Sequence, residues 1–142
     1  IWDSWYVRDG DLWHGFFLQA DKALGDPELR HFNVTHGHAT SHDLTTWQYH
    51  GTSFHPAPAP AWDDYTTWTG SVIRSDGLWH MFYTGTNRAE QGLKQRIGHA
   101  TSHDLQNWTR VGDGLAVDLA GDLYEEHTPA RWFDRALRDP HG

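Results

Sequence analysis

Ile1-Trp2-Asp3-Ser4-Trp5-Tyr6-Val7-Arg8 is written again 66 positions later as Thr67-Trp68-Thr69-Gly70-Ser71-Val72-Ile73-Arg74. Both copies run on without a gap to Leu-Trp-His, Leu12–His14 in the first and Leu78–His80 in the second. Gly37-His38-Ala39-Thr40-Ser41-His42-Asp43-Leu44 recurs letter for letter as Gly98–Leu105, 61 positions on. A third copy is expected to open at Leu137-Arg138-Asp139-Pro140-His141. A period of this size filled with short strands is the signature of a β-propeller, in which each repeat is one four-stranded blade. The repeat therefore predicts which residues meet in space, because equivalent first-strand positions converge on the propeller axis.

Each unit reads as a meander of four strands. In the first, Trp2–Val7 and Leu12–Leu18 flank a turn at Asp9-Gly10-Asp11, where glycine accepts the positive φ that a tight hairpin needs. A polar loop over Asp21–Arg30 follows, then strands at Phe32–Thr40 and Trp47–Phe54. The second unit reads Thr69–Arg74, a turn at Asp76-Gly77, Leu78–Thr84, a loop over Asn87–Gln95, Arg96–Thr101 and Trp108–Val111. Ser-His-Asp-Leu-x-x-Trp stands between the third and fourth strands of both. Its Ser and Asp can bond their own backbone, while Leu and Trp return the chain to the core, so it reads as a structural turn. Pro56–Pro60 is stiff and suits the crossover between blades. Blade one is assigned to residues 1–60, blade two to 61–120 and the start of a third to 121–142, with a weak helical signal around Ala130–Leu137.

Propellers close with roughly 4–8 blades, so 142 residues at this period hold barely two. The chain is expected to be part of a longer protein and, by itself, to expose blade faces and lack activity. The net charge of −8 argues against nucleic acid and anionic membrane surfaces as partners, and no run is long enough to span a membrane. The absence of cysteine excludes disulfides and thiolate chemistry. The protein reads as soluble, with secretion and the cytoplasm both open. Nine tryptophans in an otherwise polar chain suit inter-blade cores and sugar-stacking surfaces. Trp13, Trp47, Trp79 and Trp108 recur between the units and read as core. Trp2, Trp5, Trp62 and Trp68 lie on or just before inner strands and are the sugar-stacking candidates.

Asp3, Thr69 and Asp139 fall at equivalent places in three successive inner strands. Two carboxylates facing a common channel match what glycoside chemistry requires: one to attack the anomeric carbon or activate water, others to hold the sugar and protonate the leaving oxygen. From geometry alone, inner-strand aspartates that merely bond backbone amides fit equally well. Trp2-Asp3-Ser4-Trp5, Trp68-Thr69-Gly70-Ser71 and Arg138-Asp139-Pro140-His141 closely resemble three motifs of the five-bladed-propeller glycosidases that act on fructosides, the levansucrases, inulosucrases and invertases. That resemblance implies an all-β five-bladed propeller, of which two blades and the start of a third are present, and a carbohydrate substrate. It implies that Asp3 is the nucleophile, that Trp2 walls the pocket beneath the sugar, and that Ser71 bonds the nucleophile or a sugar hydroxyl with Trp68 beside it. It further implies that Asp139 grips two sugar hydroxyls and that Arg138 binds hydroxyls and balances charge. The general acid of such enzymes is a Glu on a later blade. Glu125 and Glu126 belong instead to the approach of the third inner strand.

The sequence departs from levansucrases at Tyr6-Val7 and in the compactness of its blades. Its repeated Gly-His-Ala-Thr-Ser turn is equally at home in the related arabinanases and β-xylosidases, which invert configuration with Asp as general base. A non-catalytic glycan-binding propeller is the remaining rival, although binding needs no paired axial acids. No cofactor is implied. His31, His36 and His38 could be assembled as metal ligands, since alternate strand residues share a face. However, His14 with His80, His38 with His99 and His42 with His103 are repeat-equivalent, which favours packing, so no metal is expected. No dense acidic loop calls for a structural Ca²⁺ either.

Overall fold

The computed structural model describes residues 1–118 and 136–141. Eight strands form two four-stranded antiparallel sheets. The first comprises β1 (Trp2–Asp9), β2 (Leu12–Gln19), β3 (Thr35–Ser41) and β4 (Gln48–Phe54); the second, β5 (Thr66–Ser75), β6 (Leu78–Thr86), β7 (Arg96–Ser102) and β8 (Thr109–Val117). Each sheet runs in chain order from inner to outer strand, the meander expected of two propeller blades. The two β1–β2-type hairpins close with two-residue loops. Gly10 alone has positive φ in the first, whereas Asp76 and Gly77 both do in the second. These are the II′ and I′ sign patterns, the two that match the right-handed twist of paired strands.

The repeated Gly-His-Ala-Thr-Ser stretch has a packing reason. A Cβ on Gly98 would stand 2.3 Å from the Tyr83 ring, and one on Gly37 2.3 Å from the Phe17 ring. Glycine at this point of the third strand lets the aromatic ring of the second strand lie flat on the sheet. The turn that follows is held by its own side chains. Ser41 Oγ accepts from Leu44 N at 2.9 Å, and Asp43 Oδ1 accepts from Thr45 N and Thr46 N. Ser102 and Asp104 repeat the arrangement with Leu105 N, Gln106 N and Asn107 N. The backbone N–H groups converging on Asp43 and Asp104 hold both carboxyls well below the usual carboxylate range. Leu105 is buried in the core, but Leu44 is half-exposed. The second blade's turn packs against the first blade, whereas no described element covers the first blade's turn.

One aromatic core runs through both blades, from Trp5, Phe16 and Phe54 to Tyr83, Met81 and Trp79, with Trp108 packed against it. Phe54 meets Tyr83 edge-on at 4.8 Å and Phe16 meets Trp108 at 5.9 Å. Arg110 lies over Phe54 at 4.4 Å and donates from Nε to buried Asp63 at 2.7 Å, where the Tyr83 hydroxyl also bonds at 2.9 Å. This network anchors the crossover after Pro60 to the outer strand of the second blade.

Several boundaries differ from the expectation. The third strand begins at Thr35, not Phe32, because Pro27–Phe32 forms a 3₁₀ turn capped by Asp26 and Phe32 stacks on Tyr65. A second 3₁₀ turn, Lys22–Leu24, is capped by Asp21. β8 runs on to Val117, with positive φ at Gly112 and Gly114. Residues 136–141, expected to open a third inner strand, carry no strand. Asp139 has φ of 55°, Pro140 has no N–H to give a ladder, and no described strand lies beside them to pair with. The weak helical signal falls mostly outside the described residues, and Ala136 and Leu137 are not helical. Among the described residues no helix is long and apolar enough to cross a membrane.

Candidate active site

The two inner strands share an irregularity at one point. In β1 the register passes from Trp2↔Leu18 to Ser4↔Phe17, leaving Asp3 as the extra residue of a β-bulge. In β5 it passes from Trp68↔Thr84 to Gly70↔Tyr83, leaving Thr69 as the extra residue. The bulges are repeat-equivalent, and a bulge re-aims the side chain it carries out of the strict alternation of the strand. Here the two re-aimed side chains meet: Thr69 Oγ1 donates to Asp3 Oδ2 at 2.7 Å.

Around this pair lies a cavity of about 610 Å³ whose lining includes Trp2, Asp3, Trp68, Thr69, Arg138 and Asp139. Residues separated by more than 130 positions are thereby brought to one place, including five of the six site residues named from the sequence. Asp139 reaches it through its backbone, donating from N to Thr84 Oγ1 at 3.0 Å. The Arg138 guanidinium stands 3.6 Å from the Asp139 carboxylate, and both side chains are about half exposed. Trp2 is half-buried, with the Arg30 guanidinium 5.3 Å from its ring and His31 edge-on at 6.1 Å. Trp68 is held by its indole N–H, which donates to the His31 carbonyl at 3.0 Å. The 3₁₀ turn thus fixes both tryptophan walls.

Ser71 is the exception. It does not line the cavity, and its Oγ is buried without a hydrogen-bond partner among the described residues. The bulge explains this: Thr69 takes the position beside Asp3, while Ser71 lies two residues farther along β5, opposite Phe82. Trp5 and Trp62 are also not cavity walls. Trp5 is buried against Phe16 and His36. Trp62 lies against Gly85 and Tyr83 and donates to the Asp113 carbonyl at 2.9 Å. Glu125 and Glu126 lie outside the described residues.

Sequence reasoning missed Glu28, read as part of a polar surface loop, Phe32, read as the start of the third strand, and His31, weighed only as a metal ligand; all three line the cavity. It also missed buried Gln95 and Leu18 in the lining. The capped Asp26-Pro27 start of the 3₁₀ turn was the available signal, since Asp before Pro initiates such turns.

The histidines serve the blade interface. His36, fully buried, bonds through Nε2 to the Trp68 carbonyl at 3.0 Å, and burial pushes its pKa down to about 4. His38 bonds His14 on one side and Gln106 of the second blade on the other, and burial likewise lowers it to about 4. His80 and His99 repeat the His14–His38 pair at 2.9 Å. Among the described residues no group of three or more His, Asp or Glu could hold a metal ion.

Two successive four-stranded meanders with a cavity at their inner strands have the blade architecture of β-propellers. Residues 6–107 match the family described as the glycosyl hydrolases family 32 N-terminal domain, and the chain belongs to that family. The match includes Trp68 and Ser71 and lies between the two aspartate-bearing ends. An invertase of Wickerhamomyces anomalus is 32% identical over 91 residues, 62% of this chain and 15% of the invertase. Two solved structures share the fold. Zg3597, a family 117 glycoside hydrolase of Zobellia galactanivorans, superposes with a TM-score of 0.67 at 16% identity, over 95% of this chain and 42% of that one. The sucrose-6-phosphate hydrolase of Lactobacillus gasseri gives 0.62 at 22% identity, over 77% and 21%. The chain therefore spans less than half the length of each of these relatives.

Proposed function

We propose that the whole protein carrying this chain cleaves fructosyl linkages of a carbohydrate substrate by two-carboxylate chemistry, with Asp3 as nucleophile. The blades are assigned to residues 1–60 and 61–120, with 121–142 leading into a third. The reading rests on one observation above all: Asp3, held by Thr69, shares a cavity with Trp2, Trp68, Arg138 and Asp139. With Oδ2 engaged by the Thr69 hydroxyl, Asp3 Oδ1 is the oxygen that would bond to the anomeric carbon. The bond from that carbon to the leaving oxygen breaks as the new one forms. A carboxylic acid from another part of the protein protonates the leaving group, and water then releases the sugar as the same group withdraws its proton. Asp139 and Arg138 would bind the sugar hydroxyls, most strongly as the ring approaches the oxocarbenium-like state. Trp2 and Trp68 offer flat apolar surface to the sugar, and no cofactor is needed.

The family 32 match favours fructosides over the arabinan and xylan alternatives. Asp3→Asn in the whole protein, assayed by sugar release from sucrose and levan, is expected to lower turnover by roughly a thousandfold or more while substrate still binds. Unchanged release would overturn the assignment of Asp3 and return the non-catalytic glycan-binding reading.

A further inference from the structure

The bulge in β5 leaves a backbone question that Thr84 answers. A bulge removes its extra residue from the ladder, so the Thr69 carbonyl needs another donor. Thr84, fully buried on β6, supplies it from its side chain: Oγ1 donates to the Thr69 carbonyl at 3.1 Å. The same oxygen accepts the Asp139 backbone N–H at 3.0 Å. One hydroxyl therefore joins the strand segment that holds Asp3, through Thr69, to the segment that carries Asp139.

The repeat shows that blade packing does not require this hydroxyl. Leu18 occupies the equivalent position in the first blade, opposite Trp2 as Thr84 is opposite Trp68. It is just as buried, and the bulge at Asp3 forms beside it without a hydroxyl. The polar residue appears only in the blade whose inner strand receives Asp139. Asp139 also sits at positive φ directly before Pro140. Strained backbone of this kind persists where surrounding contacts determine it.

We infer that Thr84 is a positioning residue whose hydroxyl sets the placement of Asp139 relative to Asp3. The inference rests on the functional reading above, and its test separates the two. In the whole protein, Thr84→Val keeps the shape and removes the hydroxyl, whereas Thr84→Ser keeps the hydroxyl. With sucrose as the probe, Thr84→Val is expected to lower kcat by about tenfold to a hundredfold, as misplacement of a transition-state contact does. Thr84→Ser is expected to recover kcat to within about threefold of the parent. If Thr84→Val does not fold, Thr84→Ala, which also lacks the hydroxyl, replaces it and is expected to show the same loss of kcat. Wild-type kcat in the hydroxyl-free variant, or equal loss in Ser and Val, overturns the inference. If Asp3→Asn keeps full turnover, the functional reading itself falls. If Asp3→Asn is inactive and Thr84→Val is unchanged, only the positioning role is refuted.

Discussion

Acid should weaken this protein through the first blade's third strand, and His36 is the group on which the effect can be isolated. Its Nε2 donates to the Trp68 carbonyl, its Nδ1 is buried with no hydrogen-bond partner among the described residues, and Trp5 and Phe54 rings enclose it at 4.9 and 5.5 Å. A proton on Nδ1 would be a buried charge whose desolvation outweighs the backbone hydrogen bonds at Trp68 and Thr67, and the Arg110 guanidinium adds a little repulsion. Folding therefore lowers the His36 pKa from 6.5 to about 4. The unfolded chain binds this proton first as pH falls, so stability is intact above pH 6.5, declines through the window, and is fully lost to this group by about pH 4. At 1.36 kcal/mol per unit, the shift corresponds to about 3 kcal/mol from His36 alone.

The assay is urea unfolding followed by tryptophan fluorescence at steps from about pH 7.5 down to about pH 3. His36→Gln is the comparison, because its amide can still donate toward the Trp68 carbonyl but does not titrate. The variant is expected to start less stable at pH 7.5 and to lose about 3 kcal/mol less across the window. Some slope should remain, because His38, His14 and His99 are all shifted in the same direction by burial. Parallel stability curves for parent and His36→Gln would refute the reasoning. Loss confined to below pH 4 would instead point to Asp43 and Asp104, whose lowered carboxyls act only there.

Two further substitutions test the packing. Gly98→Ala should destabilise by about 1–3 kcal/mol, since Tyr83 is buried and bonded to Asp63 and cannot move away. Gly37→Ala should cost less, because Phe17 lies on an open blade face and can shift; equal losses in denaturant midpoint would contradict this. Arg110→Met should cost about 3–5 kcal/mol by leaving fully buried Asp63 without its cation. Adding Asp63→Asn to that variant should recover part of the loss, and a double variant no more stable than Arg110→Met would argue against the buried-charge explanation.

The sequence repeat made the architecture legible because period, turn residues and strand patterning are local properties, and all of them agreed. Aligning the copies put Asp3, Thr69 and Asp139 at equivalent positions, and all three line one cavity; of the four tryptophans assigned to the inner strands, Trp2 and Trp68 line it, whereas Trp5 and Trp62 do not. Its failures have a common cause in events that do not follow alternation. A bulge displaces one residue from the two-residue period, and nothing in Trp68-Thr69-Gly70-Ser71 announces where it falls; the resemblance implied a contact to Asp3 for Ser71, and in the structure Thr69, the residue aligned with Asp3, makes one. The surface loop became a wall because Asp26-Pro27 starts a turn that carries the His31 carbonyl to Trp68. The positions where the two copies differ are as informative as those where they agree. Thr69 stands where the first blade has Asp3, and Thr84 where it has Leu18. The candidate site lies where the alignment of the two copies breaks, at Asp3 and Thr69 and at Leu18 and Thr84, beside the tryptophans that the copies share.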